Sequence, residues 1–560
     1  MFFPTTYDEI KKFGWKDLDV IIITGDTYID SPYIGVSIIA NLLFKYGYRI
    51  GIIAQPDINS DDITRLGEPK LFWGVTGGSV DSMVANYTPL MKKRKSDDFT
   101  PGGKNNKRPD RATIVYSNLI KKFFKNTKPI VLGGIEASMR RIPHYDYWDD
   151  NIRRSILFDA KADILVYGMG EKSILELANK YKNNFEVYDT KGICYISKNR
   201  VNNYIELPSY EEVKEDKLKF IEMFNLFYVN NNPFYGKGLQ IKHGDRFLIH
   251  NPPQPPLSKR EMDEIHDLNY ARDVHPYYKK QGKVKALETI RFSILTHRGC
   301  FGECNFCAIS IHQDNVISSR SENSIVKEAL LLSKLPDFKG YILDVGGPTA
   351  NMYEIQCDKM LLSGKCKNKR CLSPLPCKKI NLNHSKQIHL LRKLRSLPNI
   401  KKVFVASGLR YDMILNDKEY GIQYLEELIK YHTSGQLKIA PEHINNNILN
   451  LMGKPDNGLL SQFKKLFYDL NKKNKLNQYL TYYFIAAHPG TSENEMFELK
   501  RFIKKELKIK PEQVQIFTPT PSTYSTLLYY TEIDPISKEK IFVEKSLQKK
   551  DKQKKIITYI

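Results

Sequence analysis

Hydrophobic positions open the chain in unbroken runs rather than in alternation. Residues 19–24 are apolar almost throughout, and a Gly and Pro punctuated turn over residues 25–35 follows them. A helical stretch to Lys45 and a second run over residues 49–54 come next. Continuous apolar runs mark strands covered on both faces, and strand, helix and strand at this spacing make a βαβ unit. Further runs at residues 71–75, 129–132 and 164–167 end in Gly77-Gly78, Gly133-Gly134 and Gly168. The pattern predicts an α/β chain whose residues 1–229 form a Rossmann-like parallel sheet domain. Residues 91–111, charged and carrying Pro101-Gly102-Gly103, predict a long surface loop.

Residues 230–286 lose this periodicity and include Asn251-Pro252-Pro253-Gln254-Pro255-Pro256, which predicts a connector. From residue 287 a strand and helix rhythm returns. Strands are expected at residues 289–295, 341–345, 402–406, 436–440, 480–486 and 513–517, with helices beginning near Ser324, Lys386, Tyr420, Leu459 and Glu493. Six βα repeats over residues 287–530 predict a partial (β/α)6 barrel with an insert at 351–380, leaving 531–560 as a basic C-terminal tail. In such barrels chemistry gathers at the carboxyl ends of the strands. Those ends read Arg298-Gly299-Cys300, Gly346-Gly347-Pro348, Ser407-Gly408-Leu409-Arg410, Pro441-Glu442-His443, His488-Pro489-Gly490 and Thr518-Pro519-Thr520-Pro521. Their Gly, Pro and polar content points to one composite site.

With 560 residues the chain is long enough for two or three domains and a shielded site. It carries 86 Lys plus Arg against 63 Asp plus Glu, a formal charge of +23, which favours approach to a polyanion such as RNA. Lysine is abundant throughout, so the excess reads first as a compositional bias, and Lys92-Lys93-Arg94-Lys95 and residues 549–555 read as solvated loop and tail. No run of about 18 uncharged apolar residues occurs, and the start lacks the pattern of a signal peptide, so no membrane span is expected and the cytoplasm is the expected location. Seven of the eight cysteines fall between positions 300 and 377, a clustering that points to metal ligation rather than disulfides.

Arg298 to Cys307 contains Cys300, Cys304 and Cys307 in the spacing C-x3-C-x-aromatic-C. Three thiolates from one short loop suit three irons of a cubane and leave the fourth iron open for chemistry, whereas structural zinc wants four ligands. Gly299 and Gly302 let the loop turn tightly. Cys357, Cys366, Cys371 and Cys377 form a second set in a Lys and Pro rich insert, with eight, four and five residues between them. They match no standard knuckle and leave a second metal and free thiols equally open. Cys194, alone in an apolar run, reads as an inert core residue. His443 and His488 stand at strand ends and receive no catalytic role.

These residues resemble the radical S-adenosylmethionine (SAM) enzymes and, among them, the YgiQ-type proteins. The resemblance rests on the Cys300 loop, on residues 344–353, 438–443, 487–491 and 529–531, and on Thr24-Gly25-Asp26, residues 131–138 and residues 144–148. It implies a [4Fe–4S] cluster held by Cys300, Cys304 and Cys307 with an exchangeable SAM, reductive cleavage of SAM to a 5′-deoxyadenosyl radical, and an electron donor such as flavodoxin or ferredoxin. It also implies that Phe306 lies on the adenine side, that Gly346 and Gly347 hold the SAM amine, and that Glu442 holds the ribose hydroxyls. Proline at position 348 replaces the glutamate usual after the two glycines. The substrate is not implied, and RNA is one class to test. Residues 162–171 are similar to the cobalamin-binding domain that precedes the barrel in other radical SAM enzymes, but the absence of Asp-x-His-x-x-Gly argues against cobalamin. A non-catalytic metal- or nucleic-acid-binding protein is the competing reading.

Overall fold

The apolar runs of the N-terminal half become the strands β1 (Val20–Thr24), β2 (Ile50–Ala54), β3 (Phe72–Thr76), β4 (Ile130–Gly133) and β5 (Ile164–Val166). They pair in parallel in the order β2-β1-β3-β4-β5, with Val20 opposite both Ile50 and Phe72, Trp73 opposite Ile130 and Leu132 opposite Leu165. Each residue of β1 and β2 is buried, as strands covered on both faces must be. Helices Gly35–Lys45, Ala112–Phe123 and Glu171–Lys182 supply the buried apolar faces between strands. The computed structural model describes residues 1–367 and 369–559; residue 368 of the Cys-rich insert and residue 560 of the tail lie outside them. Its two compact units are residues 1–256 with 264–291, and residues 257–263 with 292–560.

In this strand order the direction of winding reverses between β1 and β3, where a crevice opens at the carboxyl ends. Here the chain itself fills it. A Cβ on Gly25 would lie 2.2 Å from the Gly77 carbonyl oxygen, so no side chain fits where the two strand ends meet. Arg108 enters from the loop, donates to the Gly77 carbonyl at 2.8 Å and pairs with Asp26 at 2.8 Å and Asp97 at 3.1 Å. Residues 92–95 are exposed as predicted, while Asp97, Thr100, Asn105 and Arg108 are buried. Part of the expected surface loop is therefore core.

The predicted connector also differs. Strands β6 (Ile193–Ser197), β7 (Ile205–Leu207), β8 (Leu239–His243) and β9 (Arg246–His250) extend the sheet to nine strands in the order β7-β8-β9-β6-β5. The pairs β8–β9, β9–β6 and β6–β5 are antiparallel. Gly244, at φ 58°, opens the two-residue turn between β8 and β9, the geometry a tight hairpin requires. Cys194 is fully buried in β6 and burial pushes its thiol up, as an inert core residue requires.

In the second unit the predicted strands correspond, in chain order, to β10 (Ser293–Leu295), β11 (Asp344–Gly346), β12 (Lys402–Val403), β13 (Gln436–Glu442), β14 (Tyr479–Ala486) and β15 (Gln513–Ile516). Ser293 lies parallel opposite Asp344, Tyr341–Ile342 pairs with β12, Leu409 bridges to Ile439, and β13, β14 and β15 pair in parallel. Helices Glu322–Leu332, Ser385–Arg395, Gly421–Glu427, Gly458–Lys473 and Glu493–Phe502 fall between successive strands, each starting within two residues of its expected position. Ile294, Val345, Val403, Ile439, Phe484 and Val514 share one apolar cluster with these helices. The first strand is shorter than predicted because residues Ala286–Ile290 are helical.

The expected solvated tail is a docked helix, Leu547–Thr558, with Lys550, Gln553 and Ile557 fully buried. Gln553 accepts from the Ala487 N–H and donates to the Thr491 carbonyl, both at 2.9 Å, and the Lys550 ammonium donates to the Tyr529 hydroxyl at 2.7 Å. Spacing of three and four residues puts these groups on one face, where lysine buries its methylenes and keeps a partner for its charge. Among the described residues no helix is long and apolar enough to cross a membrane.

Replacing Arg108 with alanine leaves Asp26 and Asp97 buried without their cation, and should lower stability by about 3–5 kcal/mol in urea unfolding. His144 is buried, donates through Nδ1 to the Ile142 carbonyl at 3.0 Å, and is pushed by burial down to about 4. Its folded-state value lies below its unfolded value, so the stability it contributes is present above the unfolded value and is lost as pH falls toward 4. The His144→Gln variant should therefore lose less stability than the parent between pH 7 and pH 4, by up to about 3 kcal/mol, in urea titrations at each pH.

Candidate active site

Past β10 the chain forms a hairpin, His297–Arg298 against Ser318–Ser319, and its long loop carries the three predicted cysteines. Gly299 begins the loop at φ 82°, and a Cβ there would lie 2.1 Å from the Val316 carbonyl oxygen. Only glycine makes this turn. At Gly302 the position of a missing Cβ is 3.2 Å from the Cys300 Sγ, 3.6 Å from the Cys304 Sγ and 3.1 Å from Nη1 of Arg410. The bare α-carbon thus allows two thiols and a guanidinium to converge. The Gly302 N–H donates to the Cys300 Sγ at 3.3 Å, Thr349 Oγ1 lies 3.3 Å from the same sulfur, and Arg410 donates to the Cys304 Sγ at 3.7 Å.

Burial pushes the Cys307 thiol up to about 12, and the neighbouring Cys304 and Cys300 push the same way. Burial also raises Cys300, against the hydrogen bonds from Thr349 and Gly302. Thiols so placed become thiolates only with a cation or metal beside them. Arg410 is fixed for the cationic role. Its Nε and Nη2 donate to the two Asp412 oxygens at 2.8 and 2.6 Å, and its backbone exchanges hydrogen bonds with the Asn351 side chain at 2.8 and 3.0 Å.

The loop is held on its other side by Asn305. Its backbone and side-chain nitrogens donate to the carbonyls of Met452 (2.9 Å) and Leu451 (2.8 Å), and its own carbonyl accepts from Ser525 at 2.9 Å. Phe306 stands edge-on to His488 with ring centres 6.3 Å apart. His488 donates through Nδ1 to the Pro489 carbonyl at 2.9 Å, so its Nε2 accepts from the Ser525 hydroxyl at 2.7 Å. Burial pushes it down to about 3, which leaves a neutral, fully bonded ring. His443 is likewise pushed by burial down to about 4.

The remaining strand ends surround this loop with backbone and one carboxylate. The Gly346 carbonyl accepts the Thr296 N–H at 2.7 Å, and a Cβ on Gly347 would lie 2.6 Å from the His297 ring. Glu442 sits where the β13–β14 register shifts, at φ 68°, a left-handed conformation that costs a non-glycine residue about 1–2 kcal/mol. Strain of this kind persists where the surroundings over-determine it, often at functional sites. Burial raises the Glu442 carboxyl, while Lys454, 4.0 Å away, and Arg410 oppose the rise. Lys454 itself is held by the Ala440 carbonyl at 2.7 Å.

The donor set suits an iron–sulfur cluster: soft thiols, one to an iron, beside a buried cation that offsets their negative charge. Sequence reading singled out the three cysteines, Phe306, Gly346, Gly347 and Glu442, but not Arg410, Thr349 or Lys454. Arg410 had one available signal, its place at the end of the third strand.

Known proteins bear on this arrangement. The family model "Radical SAM N-terminal" matches residues 2–293. A UPF0313 protein of Fusobacterium nucleatum is 57% identical over the whole of this chain and 98% of its own length. A UPF0313 protein of Thermotoga maritima is 48% identical over the whole of this chain and 99% of its own length. Among solved structures, the radical SAM methyltransferase TsrM from Kitasatospora setae with cobalamin and a [4Fe–4S] cluster bound matches 90% of this chain and 76% of its own, at TM-score 0.51 and 13% identity. The cobalamin-dependent radical SAM enzyme OxsB with aqua-cobalamin bound matches 94% of this chain and 57% of its own, at TM-score 0.50 and 12% identity. The expectation against cobalamin is corrected by these two: both bind it, and a missing lower-ligand motif is no ground for excluding it from this fold. With its N-terminal half matched by the family model and its full length aligned to the relatives, this chain belongs to the UPF0313 family of YgiQ-type radical SAM proteins and is a radical SAM enzyme.

Proposed function

We propose that Cys300, Cys304 and Cys307 hold a [4Fe–4S] cluster and that SAM binds at its fourth iron. The observation that carries this reading is the convergence of the Cys300 and Cys304 thiols with Arg410 about the bare α-carbon of Gly302, with Cys307 close enough to shift with them. When bound, such a cluster would supply the single electron needed for reductive cleavage of SAM to a 5′-deoxyadenosyl radical, the hydrogen-abstracting species.

The chain's own residues divide the remaining work. Arg410 offsets the charge of the thiolates in a site of low dielectric. The carbonyls of Gly346 and Gly347 accept from the SAM ammonium, Gly346 through the lone pair that Thr296 leaves free. Glu442 accepts from the ribose hydroxyls, and Lys454 and Arg410 oppose the rise that burial imposes on its carboxyl. Phe306 offers an apolar surface to the adenine. A one-electron donor of the flavodoxin or ferredoxin kind completes the cycle, and the net charge of +23 makes an anionic macromolecule such as RNA a substrate class worth testing.

The test is anaerobic reconstitution with iron and sulfide, then SAM and dithionite, with 5′-deoxyadenosine as the readout. The parent should form it and Cys304→Ala should not. Arg410→Gln should keep its iron and lose about 10–100-fold in rate, the usual loss when a residue supporting a metal ligand is removed. Zinc in place of iron, with SAM left intact by the parent, would return the chain to the non-catalytic reading.

A further inference from the structure

The Cys-rich insert takes no part in the chemistry above, yet its four thiols are gathered. Cys357, Cys366, Cys371 and Cys377 all line one cavity. A hydrogen bond from the Cys377 N–H to the Cys371 carbonyl at 2.8 Å closes the turn that brings the last two together. Lys359 places its ammonium 3.1 Å from the Cys366 Sγ. All four cysteines are free and half-buried.

The surroundings have the two features a polythiolate centre needs. On the inner side Cys357, Cys371 and Cys377 pack against an apolar cluster that includes Phe301, Ile355, Met360, Leu372 and Ile380. Lys359, Lys369 and Arg370 line the same cavity and supply positive charge for ionised thiols. A free cysteine that merely packs is among the most deeply buried residues.

All four cysteines line one cavity together with Lys359, Lys369 and Arg370, a donor set that suits the four irons of a cubane, one thiolate to each. We infer that Cys357, Cys366, Cys371 and Cys377 hold a second iron–sulfur centre, a four-thiolate [4Fe–4S] cluster distinct from the one at Cys300, Cys304 and Cys307.

The insert is also fastened to the first loop. Lys365 pairs with the Glu303 carboxylate at 2.9 Å, and Arg370 donates to the Glu303 carbonyl at 2.9 Å, between Cys300 and Cys304. Cys300 packs on the same apolar cluster as three of the insert cysteines. The second centre is thus a fixed neighbour of the first.

The experiment removes the first site. The Cys300→Ala/Cys304→Ala/Cys307→Ala variant, reconstituted anaerobically with ferric iron, dithiothreitol and sulfide, should retain about four irons and four sulfides per chain. It should show the electron paramagnetic resonance signal of a reduced cubane after dithionite. Adding Cys366→Ser and Cys371→Ser to that variant should abolish both the iron and the signal. Far-UV circular dichroism of each variant establishes that it is folded before metal is counted. A folded triple variant that binds no iron, or one zinc without sulfide, overturns the inference. The result does not depend on SAM cleavage, because the loop proposed for that chemistry is absent: a parent inactive on SAM whose triple variant still holds the cubane would sink the first proposal and leave this one standing.

Discussion

Everything in the site depends on gathering three half-buried thiols beside one guanidinium. A thiol in apolar surroundings resists ionisation, and Cys307 is pushed up accordingly. A loop that gathered cysteines without compensating charge would hold them as inert core residues, which is what Cys194 is. Arg410, brought to 3.7 Å from the Cys304 Sγ, is the compensation, and the absence of a side chain at Gly302 is what lets it approach.

The barrel-like succession of strands explains how that approach is held. Arg410 belongs to the end of the third βα repeat, Asn351 to the end of the second and the cysteines to the end of the first. The paired hydrogen bonds between Asn351 and the Arg410 backbone, and the fork from Arg410 to Asp412, fix a long side chain in one geometry. Glu442 comes from the fourth repeat and reaches the same region through a register shift and a left-handed backbone. Residues distant in sequence become one site because parallel strands present their carboxyl ends on the same side.

The first unit answers a different constraint with similar means. Its strand order creates a crevice at the β1 and β3 ends, and the chain closes it with Arg108 between Asp26 and Asp97. Charges at a buried point persist only when paired and hydrogen-bonded, and here a single guanidinium satisfies both carboxylates and the Gly77 carbonyl.

Local pattern by itself determined the five parallel strands of the first unit, whose unbroken apolar runs answer burial on both faces, and the predicted strands and helices of the second, whose apolar positions recur at strand and helix spacing. It also determined the three-cysteine loop and the glycine at 299, since ligand spacing and a left-handed turn are properties of adjacent residues. Tertiary structure alone decided the rest. Strands β8 and β9 lay hidden because Gln240, His243 and His250 interrupt their apolar runs, and only the sheet shows these polar side chains to be buried. The helix Leu547–Thr558 looked like a solvated tail because lysine is amphipathic, and only docking shows that Lys550 and Gln553 are buried. Arg410 offered only its place at a strand end and Lys454 nothing, because a cation acquires its role from the anions that folding places beside it.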